Sequence, residues 1–243
     1  MRGKPAAIFL LLLGRMLSLS LVIPALNEAD ELPATTRCAR AVPQATEIIV
    51  VDGGSSDGTC AIAEKLGCKV LTSSPSRGGQ MRLGASQATG DIIVLVHADT
   101  WLPQNAGHAI EDCLHDPDVV GGGFWKTFRE AHPLRIGARW RSGLLFALGG
   151  PILGDQAPFV RREILERIGG VPDMPLMEEF ELCRGLREVG RLKLANATVR
   201  TSMRRFHKLG ILRTYFLMGR VILRYRQGVT SDALARLYDS CKE

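Results

Sequence analysis

Short runs of consecutive apolar residues alternate with helical patterns in the first 100 residues. Each run is only a few residues long and is bounded by turn-forming residues, which predicts β-strands. The predicted strands are residues 19–23, 48–51, 68–71 and 91–96, and the predicted helices are residues 33–41, 57–66 and 79–88. Apolar strands that alternate with helices are typical of an α/β fold, with a mostly parallel central sheet and helices on both faces.

The second half of the chain has a less regular pattern. We expect Ser55 or Ser56 to cap the helix at 57–66, because serine is a favoured N-cap residue. Residues 131–153 are apolar and glycine-rich with several arginines, and no element is assigned to them. Further helices are predicted at 103–115, 177–189, 209–225 and 231–238, and further strands at 119–125, 157–160 and 191–195.

Polar segments follow the first four predicted strands. The strands lead into PALNE, DGGSSDGT, SSPSRGG and HADT in turn. The carboxyl ends of parallel strands open onto one crevice, where ligands of α/β proteins bind. We therefore expect these four segments to form a single binding site.

The residue types at the strand ends are suited to a nucleotide. Asp52 can accept a hydrogen bond from a ribose hydroxyl or a base, and Gly54 lets the backbone approach a ligand closely. No G-x-G-x-x-G and no P-loop motif is present to hold phosphates. A divalent metal bound by Asp99 would fill that need. Arg77 can add a charge-assisted contact, and His97 either assists the metal or is a buried histidine bonded to a neighbouring loop.

Composition and charge narrow the class of protein. The chain has 243 residues, 46% of them apolar, which is enough for one sizeable domain. The net charge is +6, but residues 200–226 alone contain eight Lys and Arg and no acidic residue. No nucleic-acid-binding module accompanies this basic segment, so we do not expect nucleic acid as a partner. The six cysteines have no C-x-x-C spacing, which favours reduced thiols and a cytoplasmic location.

The two ends of the chain differ from its middle. Residues 1–15 look like an extension before the first strand, and Met16 is an alternative start. Residues 201–243 are predicted to be a basic, amphipathic helical segment that follows a domain at 16–200. Its arginines at 213, 220 and 224 share one stripe of a helix. Such a helix either lies on an anionic membrane surface or packs against the sheet or a dimer partner. The segment at 132–153 offers a second surface of this kind.

Three sequence blocks carry a resemblance to a known family. LVIPALNE, EIIVVDGGSSDGT and GDIIVLVHADT resemble the nucleotide-binding half of family 2 glycosyltransferases, which have the GT-A nucleotide-diphospho-sugar transferase fold. The resemblance covers about residues 17–200. GDQAPFVRR, LMEEFELCRGLREVGRL and TSMRRF are similar to a small bacterial subgroup, the rSAM/selenodomain-associated or arsenosugar-biosynthesis glycosyltransferases. Carotenoid-acid glycosyltransferases are relatives of this subgroup.

The resemblance implies roles for individual residues. Asp99 would be the last residue of the D-x-D metal motif, in which His97 replaces the first aspartate. Glu179 would be the catalytic base, with Glu178-Glu179 in place of the usual Glu-Asp pair. The residues that would contact the base and ribose are Pro24, Asn27, Glu28 and Asp52; those that would contact the sugar, acceptor or diphosphate are Asp155, Gln156, Glu178 and Arg204.

The leading functional hypothesis is therefore an inverting sugar transfer assisted by Mg²⁺ or Mn²⁺. We expect a UDP-sugar as donor. The acceptor is open, with a lipid-linked molecule at the inner face of the cell membrane as one expectation.

A non-catalytic nucleotide-sugar-binding protein is the alternative, because His97 and Glu179 both depart from the family pattern. A sugar-phosphate nucleotidyltransferase ranks third, because it would need a glycine-rich loop where this chain has PALNE. For Asn27 and Glu28, helix capping is a competing interpretation.

Overall fold

One mixed sheet organises residues 16–239, which are the residues that the computed structural model describes. The strands are β1 (Leu19–Ala25), β2 (Ala45–Asp52), β3 (Lys69–Thr72), β4 (Ile92–Leu95), β5 (Thr100–Trp101), β6 (Val119–Phe128), β7 (Phe159–Arg161) and β8 (Arg191–Thr201). Their order across the sheet is β3-β2-β1-β4-β7-β6-β8-β5. The first four strands are parallel to one another, and so are β6 and β8. Strand β7 is antiparallel to β4 and β6, and β5 is antiparallel to β8.

Helices cover both faces of this sheet. They are α1 (Leu32–Arg40), α2 (Thr59–Lys65), α3 (Arg77–Ser86), α4 (Ala106–Leu114), α5 (Ala138–Ala147), α6 (Arg162–Arg167), α7 (Glu178–Val189), α8 (Arg204–Leu209), α9 (Ile211–Arg226) and α10 (Ser231–Asp239). Single turns of 3-10 helix lie at Pro133–Arg135 and Gly154–Gln156. The predicted extension at 1–15 lies outside the described residues.

The alternation of side chains along β1 creates two separate cores. Leu21 and Ile23 point to one face of the sheet, where they join α1, α2 and α4. Val22 points to the other face, where it joins α3, α6 and α7. Strands buried on both faces are apolar at nearly every position, because neither face is solvated. This explains why the apolar runs predict the central strands correctly.

Several predicted boundaries and caps are wrong. Strand β8 is eleven residues long, whereas the sequence predicts only 191–195. It continues past a bulge, because Phe124 pairs with Ala195 while the next residue, Trp125, pairs with Thr198. Helix α2 begins after Gly58 without a side-chain cap, because both serines of the preceding loop bond elsewhere. The sequence also gives no indication of β5, α6 or α8.

The C-terminal helices pack on the body of the protein. Leu217 and Val221 of α9 are buried with Leu234 of α10 and with Met177, the residue that precedes α7. This side of α9 therefore contacts α10 and the start of α7, while Leu212 and Phe216 remain exposed. None of the helices in residues 16–239 is long and apolar enough to cross a membrane.

Candidate active site

The loops that follow β1 and β2 are tied together by Asn27. Its side-chain oxygen accepts from the Ser56 N–H at 2.9 Å, and its own N–H donates to the Ser55 hydroxyl at 2.8 Å. The N–H of Glu28 donates to the Thr59 hydroxyl at 2.9 Å. Asn27 therefore fixes the relative position of the two loops.

Asp52 is the last residue of β2 and organises the loop behind it. Its carboxylate accepts hydrogen bonds from the N–H groups of Gly54 and Ser55, both at 2.9 Å, and from the Ser55 hydroxyl. Burial acts to raise the pKa of Asp52, but these hydrogen bonds outweigh it and hold the pKa below its ordinary value. Asp52 is thus a carboxylate at neutral pH. Gly54 has φ +93°, with open space where a side chain would be.

Buried Gln80 of α3 supports the same two strand ends. Its side-chain amide donates to the carbonyls of Ala25 and Val51, at 2.8 and 2.7 Å. A Cβ added at Gly53 would lie 3.1 Å from this amide. A side chain at 53 would therefore press on the Gln80 amide that holds the two strand ends. The sequence analysis missed Gln80, which sits in an otherwise unremarkable helix.

The loop after β4 carries Asp99 to a second carboxylate. A turn closed by the Thr100 N–H and the His97 carbonyl shapes this loop, and Thr35 of α1 anchors it through the Ala98 carbonyl. Arg204 of α8 donates to both Glu28 oxygens at 2.7 and 2.8 Å. The same guanidinium lies 3.7 Å from Asp99.

This arrangement fits a divalent cation. Burial raises the pKa of Asp99, while Arg204 acts in the opposite direction. The Arg204 guanidinium already lies beside both Glu28 and Asp99, so the two negative charges favour a cation at this position. No group of three or more His, Cys, Asp or Glu side chains within residues 16–239 is arranged to hold a metal. A metal at Asp99 would therefore take its remaining ligands from substrate phosphates and water, as Mg²⁺ commonly does.

The predicted base lies at the start of α7, bound to Arg77. Glu178 and Glu179 are 0% and 5% exposed. The Arg77 guanidinium donates through Nε to Glu178 and through Nη2 to the Oε2 of Glu179, the latter at 3.1 Å. Arg77 thus contacts the predicted base instead of standing free for a phosphate. Burial and the neighbouring Glu179 carboxylate raise the pKa of Glu178.

Glu181 is separate from this pair. It bonds to Arg184 and to the Tyr225 hydroxyl of α9.

His97 lies beside Glu179 and packs against Gly154. Its Nε2 is 3.9 Å from Glu179 Oε1, which also accepts from the Gly154 N–H at 3.2 Å. A Cβ on Gly154 would lie only 2.0 Å from His97 Nε2, so this contact requires glycine. Burial and the Arg77 charge lower the pKa of His97 to about 3, so the ring is neutral at physiological pH. The Nε2 of this ring has no hydrogen-bond partner within the described residues.

Three buried polar atoms in this region have no hydrogen-bond partner among the described residues: His97 Nε2, Asp155 Oδ1 and Glu178 Oε2. A buried polar group without a hydrogen bond lowers the stability of the fold, and such groups are commonly satisfied by water or a ligand. The other oxygen of Asp155 accepts from Lys126 of β6 at 2.5 Å. Burial acts to raise the pKa of Asp155, but Lys126 outweighs it and lowers the pKa. Lys126 is a second residue that the sequence analysis missed.

Backbone conformation marks the same region. The non-glycine residues of 16–239 with positive φ are Asn27, Ala157 and Met177. Each of them is a predicted site residue or stands directly beside one. Such conformations are unfavourable for residues with a side chain and cluster at functional sites.

Two predicted site residues, Pro24 and Gln156, are buried in the body of the protein. Pro24 is buried in β1, in register with Val51. The Gln156 amide donates to the Phe124 carbonyl at 3.1 Å and accepts from the Leu153 N–H at 3.2 Å. Gln156 therefore shapes the 3-10 turn that carries Asp155.

Comparison with known proteins identifies the family. The model for glycosyl transferase family 2 matches residues 20–166, which is more than half of the chain. The chain belongs to glycosyl transferase family 2. This family 2 protein is 34% identical over 102 residues to the 4,4'-diaponeurosporenoate glycosyltransferase of Staphylococcus haemolyticus, a match of 39% of this chain and 27% of that protein.

A second relative has a lipid in its name. The undecaprenyl-phosphate 4-deoxy-4-formamido-L-arabinose transferase of Pseudomonas paraeruginosa is 34% identical over 139 residues, covering 52% of this chain and 40% of that protein. The family 2 protein thus spans less than half the length of these curated relatives.

Solved structures share the fold. A mannosyltransferase from Pyrobaculum calidifontis, in complex with GDP-mannose and Mn²⁺, superposes with a TM-score of 0.64 at 16% identity, over 93% of this chain and 69% of that one. The glucosyl-3-phosphoglycerate synthase of Mycobacterium tuberculosis, in complex with Mn²⁺ and UDP-glucose, gives 0.53 at 21% identity, over 83% and 76%. These likenesses confirm the predicted GT-A fold.

Proposed function

We propose that this family 2 protein transfers a sugar from a nucleotide-diphosphate sugar to an acceptor hydroxyl, with inversion at the anomeric carbon. One observation carries the proposal: the loop after β4 joins two clusters. Asp99 faces Glu28 across Arg204, and His97, two residues earlier, lies beside Glu179. A site for the diphosphate and a buried carboxylate are thus held a few residues apart by one anchored loop.

Glu179 is the proposed base. The acceptor hydroxyl gives its proton to a Glu179 oxygen as its own oxygen bonds to the anomeric carbon. The bond from that carbon to the diphosphate breaks, and its electron pair leaves with the diphosphate. Gly154 and Arg77 hold the carboxylate in position through their hydrogen bonds. The neutral His97 ring adds no positive charge that would weaken the base.

Asp99 would hold Mg²⁺ or Mn²⁺, with His97 as a proposed additional ligand. Bound there, the metal supplies positive charge to the diphosphate leaving group. Arg204 is 51% exposed at the crevice and is well placed to exchange its contact with Glu28 for the diphosphate. The loops at Asn27 and Asp52 would hold the base and ribose.

We further propose a UDP-sugar donor and a lipid-linked acceptor. The first is supported by the UDP-glucose complex of the mycobacterial neighbour and the second by the undecaprenyl phosphate in the name of the relative. A lipid-linked acceptor would place the reaction at the cytoplasmic face of the cell membrane. The motifs at 154–162 and 176–192 support membership of the rSAM-associated, arsenosugar-type subgroup.

A thermal-shift screen of nucleotide sugars, with and without Mn²⁺, tests the proposal. Ligand at 100 times its Kd stabilises by about 2.7 kcal/mol, which raises Tm by about 5–10 °C for a chain of this size. We expect one donor to reach this range with Mn²⁺. Asp99→Asn should lose the metal-dependent part, while Asp112→Asn, an exposed residue of α4, should not. Failure of every nucleotide sugar to shift Tm would contradict the proposal.

A non-catalytic nucleotide-sugar-binding protein is the second candidate. It is favoured by the contact of Arg77 with both glutamates, because the proposed base is already engaged in an ion pair within the protein. The two candidates differ in turnover. Release of nucleoside diphosphate from a donor that stabilises the protein supports the transferase, and binding without release supports the binding protein.

A further inference from the structure

Two helices of this protein present large apolar side chains to solvent. On α5 and just after it, Trp140, Leu144 and Leu148 recur every four residues, and Trp140 is 81% exposed. On α9, Leu212 and Phe216 are 85% and 73% exposed, one turn apart. Contiguous exposed apolar surface on a protein marks a site of interaction.

The two helices meet through Phe206 of α8. This ring packs edge-on against Phe128 and lies 5.5 Å from the Tyr215 ring of α9. It also belongs to the small cluster that contains Ala138, the first residue of α5. The exposed residues of α5 and α9 therefore lie on neighbouring elements, which together with α8 we term the α5–α9 surface.

The two chain segments that form this surface carry charges of one sign. Residues 131–154 contain three arginines, residues 200–231 contain eight Lys and Arg, and neither segment contains an acidic residue. Arg220 and Arg224 are exposed on α9 near Leu223, which is also exposed. Apolar side chains flanked by cations complement a bilayer with anionic headgroups, where the apolar groups enter the acyl region and the arginines remain at the phosphates.

We propose that the α5–α9 surface docks this protein on an anionic membrane. A second copy of the chain is a poorer occupant, because pairing the surface with itself would bring arginines of both copies together. Helix α8 also begins with Arg204, which contacts Glu28. The docked surface is thus connected to the crevice by a single short helix, so a lipid-borne acceptor in the bilayer would be close to the site.

Vesicle flotation without donor or metal tests the docking. The wild-type protein should float with phosphatidylglycerol-containing vesicles and not with phosphatidylcholine alone. Leu212→Ser/Phe216→Ser should weaken partitioning at least tenfold, because two inserted side chains are lost. Val189→Ser, which removes an exposed apolar residue at the end of α7, should not. Arg220→Glu/Arg224→Glu should also abolish binding.

A charge-matched control is Arg37→Glu/Lys65→Glu, which makes the same change in net charge on α1 and α2 and should leave flotation intact. Equal loss in both double charge reversals would mean attraction by net charge alone and would overturn the proposal. So would flotation that is insensitive to Leu212→Ser/Phe216→Ser.

Trp140 provides a direct readout of insertion. We expect its fluorescence to shift to the blue on binding and to be quenched by brominated lipids, and Trp140→Phe should remove most of this signal. Unchanged tryptophan emission on saturating vesicles would overturn the proposal. A stable dimer in light scattering that Leu212→Ser/Phe216→Ser dissociates, without vesicle binding, would overturn it in favour of a protein interface. These measurements need no donor, so they can disprove membrane docking without disproving the proposed sugar transfer. The docking proposal rests on the proposed function, because it deepens the proposed location at the membrane.

Discussion

Replacing Glu179 by glutamine tests the proposed base with little change in shape. The amide oxygen can still accept from the Gly154 N–H, and Arg77 keeps its contact with Glu178. The charge-assisted bond from Arg77 is lost, but so is the repulsion between two adjacent buried carboxylates. We therefore expect the free energy of unfolding to fall by no more than about 1 kcal/mol.

The effect on turnover should be much larger. A general base contributes about 10²–10⁴-fold to a rate, which corresponds to about 3–5 kcal/mol of activation free energy. Release of nucleoside diphosphate from the donor that stabilises the wild-type protein is the assay. We expect kcat of Glu179→Gln to fall by this factor, while donor affinity, measured calorimetrically, stays within about threefold.

Glu178→Gln is the matched comparison, because it changes the other buried partner of Arg77. Glu178 is fully buried, and one of its oxygens has no partner in the described residues, so substitution there should cost about 1–3 kcal/mol of stability. We expect its kcat to fall less than tenfold. Turnover that survives in Glu179→Gln but is lost in Glu178→Gln would refute the assignment of the base.

Three further predictions concern the same crevice. Gly154→Ala should reduce kcat at least tenfold without weakening donor binding, because its Cβ would displace His97 and the carboxylate of Glu179; turnover and calorimetry check this. Arg204→Met should tighten Mn²⁺ binding in the absence of donor by up to about fivefold, as read by electron paramagnetic resonance, because Glu28 and its neighbouring carboxylate lose their internal cation. His97→Gln should make the free energy of unfolding less dependent on pH between about pH 3 and 6.5, as measured by urea unfolding. Burial lowers the pKa of His97 from 6.5 to about 3. The contribution of the neutral ring to the free energy of unfolding is therefore complete above pH 6.5 and is lost as the pH falls toward 3. At 1.36 kcal/mol per pH unit this amounts to about 5 kcal/mol, an upper bound because the ring is 20% exposed.

The central strands and their exits could be predicted from the sequence because they depend on local pattern. A strand buried on both faces is apolar at nearly every position, and the polar residue that ends it is visible as a break in the run. Asp52 stands at such a break, and Asp99 comes two residues after His97, which ends the run at β4. The strand at 191–201 was predicted too short because a bulge interrupts its pairing after Ala195. Helix α5 was missed because its apolar residues do not mark a buried face: only Ala138 and Ser142 are buried along it, while Trp140 and Leu144 are exposed.

The pairing of site residues could not be predicted, because it joins distant parts of the chain. Arg77 and Glu178 are separated by 101 residues, and Arg204 and Glu28 by 176. Each arginine lies beside other polar residues in the sequence, and nothing local indicates which carboxylate it meets. The sequence also does not indicate the contact of Gly154 with His97, because a glycine has no side chain whose chemistry would suggest a neighbour.

The most direct test of the proposed function is release of nucleoside diphosphate by the wild-type protein and by Asp99→Asn. Each would be supplied with the stabilising nucleotide sugar and Mn²⁺, and Asp112→Asn would serve as the control. We predict that the wild-type protein and the control release the diphosphate and that Asp99→Asn is at least 100-fold slower while remaining folded. Equal rates in all three proteins, or no release by any of them, would contradict a metal-assisted sugar transfer at this crevice.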